Sequence, residues 1–126
     1  MDEQDNSNEL IERIFKEAPF DDYQPMSDEV LNLLQRLKVR HMLLLNEKSL
    51  TRLIDYVRGY LDCMKERDGV FPVFLGFDFQ IYISRIYKSY SPHWSKTIIL
   101  NSKSEADAFD KFYEHMEAYL EERSKK

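Results

Sequence analysis

The amino-acid sequence predicts an all-α fold, a single compact bundle-like domain of five or six helices. Apolar residues recur at steps of three and four along most of the chain, which places them on one face of a helix. Only three glycines and four prolines occur among 126 residues, whereas all-β domains need many turn residues. Several apolar stretches also follow a serine, a residue that commonly caps helix N-termini.

The first thirty residues predict an acidic end and a first helix. Residues 1–6 are polar and acidic, and we expect them to be disordered, with residues 7–126 forming the single helical domain. Ser7 can cap a helix that runs to about Ala18. Pro19 ends it, because proline cannot continue a helix. The apolar stripe of this helix consists of Leu10, Ile11, Ile14 and Phe15.

Two further helices are predicted in the first half of the chain. Ser27 caps the second helix, whose acidic first turn suits the helix dipole and whose apolar stripe ends near Leu37. Residues 38–48 are predicted to be a connector with a short apolar run. Ser49 opens the clearest helix, to about Arg67, with a regular apolar stripe. Gly59 interrupts it, which predicts a close crossing with another helix.

The segment 77–84 fits two kinds of secondary structure. Apolar residues alternate with polar ones over eight positions, as they do in a half-buried strand. A helical spacing fits equally well and continues to residue 90. We favour the helix because no second strong strand is available for pairing.

The last third of the chain predicts one short element and one long helix. Residues 94–100 form a short apolar element of uncertain type. Ser104 and Asp107 resemble a capping box, with aspartate in place of glutamate or glutamine. The last helix begins there and carries a charged tail to Lys126.

Composition and charge exclude several classes of protein. The chain has 18 basic and 23 acidic residues, a net charge of −5, which opposes a strongly basic nucleic-acid binder. Cys63 is the single cysteine, so no intramolecular disulfide is possible. The longest purely apolar run, Met42 to Leu45, is far below the roughly 20 residues of a membrane span. The N-terminus lacks a signal-peptide pattern, and we expect a cytoplasmic protein without membrane contact.

The charge is unevenly distributed along the chain. Residues 1–30 contain ten acidic and two basic residues, a net charge of −8. Residues 36–103 contain twelve basic and six acidic residues, a net charge of +6. This asymmetry is typical of a solvated acidic first helix, or of an acidic arm that meets a basic partner or folds against the chain's own basic middle.

No motif for catalysis, metal binding or a cofactor is present. His41, His93 and His115 lie far apart in sequence and form no known ligand spacing. The three glycines occur in no phosphate-binding loop pattern. We therefore predict a non-enzymatic protein with no catalytic residues, no metal and no cofactor.

The sequence suggests two candidate interaction surfaces. Tyrosine and tryptophan are enriched at binding hot spots, although these rings fit the core of an aromatic-rich bundle as well. The predicted contacts to a protein partner are Asp21, Asp22, Tyr23, Tyr90 and Trp94. The alternative is a regulatory helical protein that contacts nucleic acid through Arg36, Lys38, Arg40, Arg52 and Arg58. The apolar stripe of residues 49–64 leaves a homodimer open.

The stretch from Val39 to Leu50, followed by Leu53 and Gly59-Tyr60, resembles a group of small bacterial proteins. Further similarity lies in Trp94 before Ile98-Ile99-Leu100 and in Asp107-Ala108-Phe109-Asp110. The sequence departs from the group's pattern at His41, Leu43 and Asn46. Members of this group look like immunity-type or accessory proteins of toxin systems. The resemblance therefore implies a protein that binds a toxin or effector and inhibits it.

Overall fold

A computed structural model describes residues 23–89 and 93–125, and this part of the chain contains six helices and no strands. The helices are α1 (Asp28–Val39), α2 (His41–Leu45), α3 (Leu50–Asp68), α4 (Phe77–Tyr87), α5 (Trp94–Leu100) and α6 (Glu105–Ser124). The predicted all-α class is confirmed. The predicted disordered residues 1–6 and the predicted helix from Ser7 to Ala18 lie outside the described residues.

Serine side chains cap three of these helices as the sequence predicts. The hydroxyl oxygens of Ser27, Ser49 and Ser104 each accept a hydrogen bond from the backbone N–H three residues later. The Asp107 carboxylate accepts from the Lys103 backbone N–H at 2.9 Å, one residue before the position that a capping box would use. Each bond satisfies a backbone donor that the first turn of a helix leaves free.

The segment 77–84 is helical, as favoured from the sequence. A strand would place Phe77 and Phe79 on the same face, but Phe77 is 61% exposed and Phe79 is fully buried. A helix satisfies its backbone groups locally, so α4 needs no partner strand. Residues 94–100 also form a helix, and residues 41–45 within the predicted connector fold into the short α2.

The long last helix, α6, contacts the other described helices through one buried face. The Tyr113 hydroxyl donates to the Leu34 carbonyl oxygen of α1 at 2.7 Å. Phe112 stacks on Trp94 of α5, with ring centroids 5.1 Å apart, and meets Phe79 of α4 edge-on. The residues of this buried face are Ala108, Phe109, Phe112, Tyr113, Met116 and Tyr119. The core of the domain is therefore centred on α6.

Glu105 joins the start of α6 to the start of α3. Its carboxylate accepts hydrogen bonds from the Ser49 hydroxyl at 3.0 Å and from the Thr51 backbone N–H at 2.9 Å. Burial opposes ionisation of Glu105, but the hydrogen bonds from Thr51 and Ser49 outweigh it and lower the pKa of this carboxyl. The charged carboxylate thus aligns two helix N-termini.

Membrane insertion of the described helices is not indicated. None of them combines the length and apolarity needed to cross a bilayer.

The predicted close crossing at Gly59 is wrong. Gly59 is exposed on α3, and a Cβ atom at this position would meet no atom of the described residues within 4 Å. Glycine is about 1 kcal/mol less favourable than alanine inside a helix. We infer that α3 carries this cost without a packing gain.

Replacing Gly59 by alanine should therefore raise the free energy of unfolding by about 0.5–1 kcal/mol. Urea unfolding followed by the fluorescence of Trp94 measures this change. Gly69→Ala is the matched control, because Gly69 ends α3 with a φ of +85°, and alanine there should lower the stability by about 1 kcal/mol. Destabilisation by Gly59→Ala would mean that α3 has no open space at this position.

His115 gives the fold a dependence on pH. Its Nε2 atom lies 2.7 Å from the Tyr87 hydroxyl oxygen, and the two rings meet edge-on. Burial lowers the pKa of His115 below its ordinary value of 6.5; the charge of Glu114 opposes this shift and the charge of Lys111 adds to it. The unfolded chain therefore binds this proton more readily than the folded chain.

We expect the contribution of neutral His115 to the free energy of unfolding to be fully present above about pH 7 and to be lost as the pH falls through 6.5. In His115→Gln the amide oxygen can still accept from Tyr87, so this variant should lose less stability than the wild type between about pH 7 and pH 5. Urea unfolding at several pH values measures the difference. Parallel curves for the two proteins would contradict the assignment.

Candidate interaction surface

An apolar corner, which we define as Val39, Met42 and Leu43, projects where α1 meets α2. These side chains are 67%, 61% and 79% exposed. The helix α2 has only five residues, and its inward side is taken by Leu45, which is buried, and by Leu44, which packs against the core. Four consecutive side chains spread over about 300° around an α-helix and cannot all face inward, so Met42 and Leu43 remain in solvent.

A charged groove of about 360 Å³ lies beside the apolar corner, between α6 and the α1–α2 region. The Lys38 ammonium pairs with Glu117 at 2.5 Å, and the Lys48 ammonium pairs with Asp110 at 2.6 Å. The groove also includes His41, whose ring centroid lies 5.2 Å from that of Phe109. Both lysines of the groove are therefore already paired within the chain.

The predicted acidic and aromatic contacts are only partly described. Asp21, Asp22 and Tyr90 lie outside the described residues. Tyr23 is half-buried, with its ring edge-on to Tyr119 at 6.1 Å. The Arg123 guanidinium carbon lies 4.7 Å from the Tyr23 ring centroid. Tyr23 is therefore already engaged with the C-terminal part of α6.

Trp94 is a core residue, and its predicted role as an exposed contact is wrong. Its side chain is 2% exposed, stacked on Phe112 and edge-on to Phe79 at 5.2 Å. The large apolar area of the indole explains this position. A short helix that begins at Trp94 carries the ring inward, which the sequence alone left open.

The five basic residues of the nucleic-acid alternative do not act as one patch. Lys38 is paired with Glu117. Arg52 is paired with Glu47 at 2.9 Å and also donates to the Leu45 carbonyl oxygen at 3.0 Å. Two of the five cations are thus neutralised within the chain.

Arg58 points away from Arg52, the other α3 cation of this set. Six residues separate it from Arg52, which places the two side chains about 120° apart around the helix. Asp55 and Asp62 lie three and four residues from Arg58, on its own side of α3. Arg36, in the last turn of α1, and Arg40, which caps the end of α1, are the cations that lie together beside the apolar corner.

A polar cluster that the sequence did not indicate serves the fold. The Asp78 carboxylate accepts hydrogen bonds from the Tyr119 hydroxyl and from Arg123, the latter at 2.9 Å. Burial raises the pKa of the Tyr119 phenol, and the hydrogen bond to Asp78 and its charge raise it further. The adjoining cavity measures about 30 Å³, which is room for little more than one or two waters. This cluster joins the start of α4 to the end of α6.

No family model, no curated protein and no solved structure was found to match this chain. Among the described residues, no group of three or more histidine, cysteine or carboxylate side chains could hold a metal ion. The surface chemistry described above is therefore the basis for a functional proposal.

The buried position of Trp94 predicts a fluorescence response. We expect native emission on the blue side and acrylamide quenching several times weaker than in urea, because Phe112 and Phe79 shield the indole. The unfolded chain, measured in the same way, is the control. Equal quenching of the native and unfolded chains would show that Trp94 is exposed in solution.

Proposed function

We propose that this chain is a non-enzymatic protein-binding domain of the inhibitor or immunity type, which binds a toxin or effector protein. The apolar corner is the observation that carries the proposal. Exposed apolar patches with polar rims mark protein interaction sites. Burying a methionine or leucine side chain contributes about 1.5–3 kcal/mol, so these side chains can supply a substantial part of a micromolar affinity, about 8 kcal/mol.

The distribution of charge supports a second contact, with a basic region of the partner. Residues 1–22 contain eight acidic and two basic residues, whereas residues 23–125 contain fifteen of each. The acidic excess of the chain thus lies ahead of Tyr23, in the segment that includes Asp21 and Asp22. Complementary charge speeds association and selects partners.

Nucleic-acid binding has less support than protein binding. Duplex binding gains affinity from many phosphate contacts, and two of the five candidate cations, Lys38 and Arg52, are held in ion pairs. The apolar corner also offers nothing that a phosphate backbone can use.

Replacing Met42 and Leu43 together by serine should reduce capture of the native partner by about tenfold or more. Immobilised wild-type and variant chains are compared for capture from the native cell extract, followed by titration with the purified partner. Because both side chains are exposed, the double variant should unfold in urea within about 0.5 kcal/mol of the wild type.

Leu100→Ser is the control for this experiment. Leu100 is 72% exposed but lies at the end of α5, outside the apolar corner. Equal capture by the wild type and the Met42/Leu43 variant, or an equal loss with Leu100→Ser, would contradict a binding role for the apolar corner.

A further inference from the structure

We propose that the apolar corner, with Arg36 and Arg40, recognises an acidic amphipathic segment of the partner protein, in which carboxylates flank apolar side chains. This inference rests on the proposed function and names the chemistry of the surface that the apolar corner binds.

Arg36 and Arg40 carry charge that the described chain does not neutralise. Both are exposed, Arg36 in the last turn of α1 and Arg40 at its C-cap, and neither forms an ion pair with any residue of the described ranges. Nearby cations behave differently: Lys38 and Arg52 are each held by a glutamate. The described part of the chain is neutral as a whole, so these two arginines give the corner a local positive charge.

The arginines and the apolar corner have the spacing of a helix recognition site. The Arg40 backbone N–H donates to the Arg36 carbonyl oxygen at 2.8 Å, so the two arginines are one helical turn, about 6 Å, apart, and Val39 lies between them in sequence. Carboxylates one turn apart on a partner helix have the same spacing. A guanidinium can bind a carboxylate through two parallel hydrogen bonds, while Met42 and Leu43 contact the apolar face.

The residue types also favour a protein over other anionic surfaces. Arginine and methionine are both enriched at protein interfaces. Two arginines would add only about 2 kcal/mol at an anionic lipid surface.

The test uses the full chain and labelled synthetic peptides of about 18 residues. One peptide forms an amphipathic helix of leucine and glutamate. The second peptide has the same sequence with lysine in place of every glutamate. Fluorescence anisotropy should show binding of the glutamate peptide at least about tenfold tighter than that of the lysine peptide. The double variant Arg36→Gln, Arg40→Gln should bind the glutamate peptide about tenfold more weakly than the wild type does. The double variant Met42→Ser, Leu43→Ser should show the same loss of affinity.

Arg58→Gln is the matched control, because it removes one arginine from a different face and should leave binding unchanged. Absence of glutamate-peptide binding, or equal binding of the lysine peptide, would overturn the inference. Equal or tighter binding of a short DNA duplex, or of vesicles of phosphatidylcholine and phosphatidylserine, that is lost in the Arg36/Arg40 variant would also overturn it, in favour of phosphate recognition.

Capture of the native partner by the two variants distinguishes a failure of this inference from a failure of the proposed function. If the Met42/Leu43 variant no longer captures the partner and the Arg36/Arg40 variant still does, the apolar corner binds a protein but the two arginines do not bind its carboxylates. If both variants keep full capture, the proposed function itself fails at this surface.

Discussion

The buried aromatic face of α6 is the constraint on which the rest of the structure depends. Phe112 occupies its centre, fully buried between Phe79 and Trp94. Aromatic rings bury large areas, and losing one such ring from a core costs about 3–5 kcal/mol. The polar ends of the tyrosines reach the edges of this core, where Tyr113 binds the Leu34 carbonyl and Tyr119 binds Asp78. One helix face thus supplies both the packing and the polar contacts that orient the other helices.

This constraint also determines which residues remain for binding. Trp94, the largest candidate contact, is used by the core, and Tyr23 is engaged with Tyr119 and Arg123. The two lysines of the groove beside α6 are paired with carboxylates of that helix. Among the apolar side chains that the fold leaves in solvent, those of the apolar corner lie beside two arginines that have no ionic partner in the described ranges. A surface of this composition fits another protein better than it fits a nucleic acid.

Local signals in the sequence predicted the helices well. Ser27, Ser49 and Ser104 cap helices where the spacing places them, because capping depends only on residues within one turn. The predicted helix at 77–84 is confirmed, and the described residues contain no strand with which this segment could pair. Gly59 misled the prediction, since a glycine in a helix has the same appearance whether it faces a neighbour or solvent. The basic residues misled it as well, because Lys38 and Arg52 meet glutamates only after the chain has folded, and Glu117 is distant from Lys38 in sequence.

The sequence by itself determined the all-α class, the helix starts and the uneven charge, since these follow from periodicity, capping and composition. Only the tertiary structure decided that Trp94 is buried and that Met42 and Leu43 are exposed. Both decisions depend on which helix face meets α6, and an apolar residue in a short helix carries no local mark of that choice. The immunity-type function is therefore a proposal, and substitutions at the apolar corner test it.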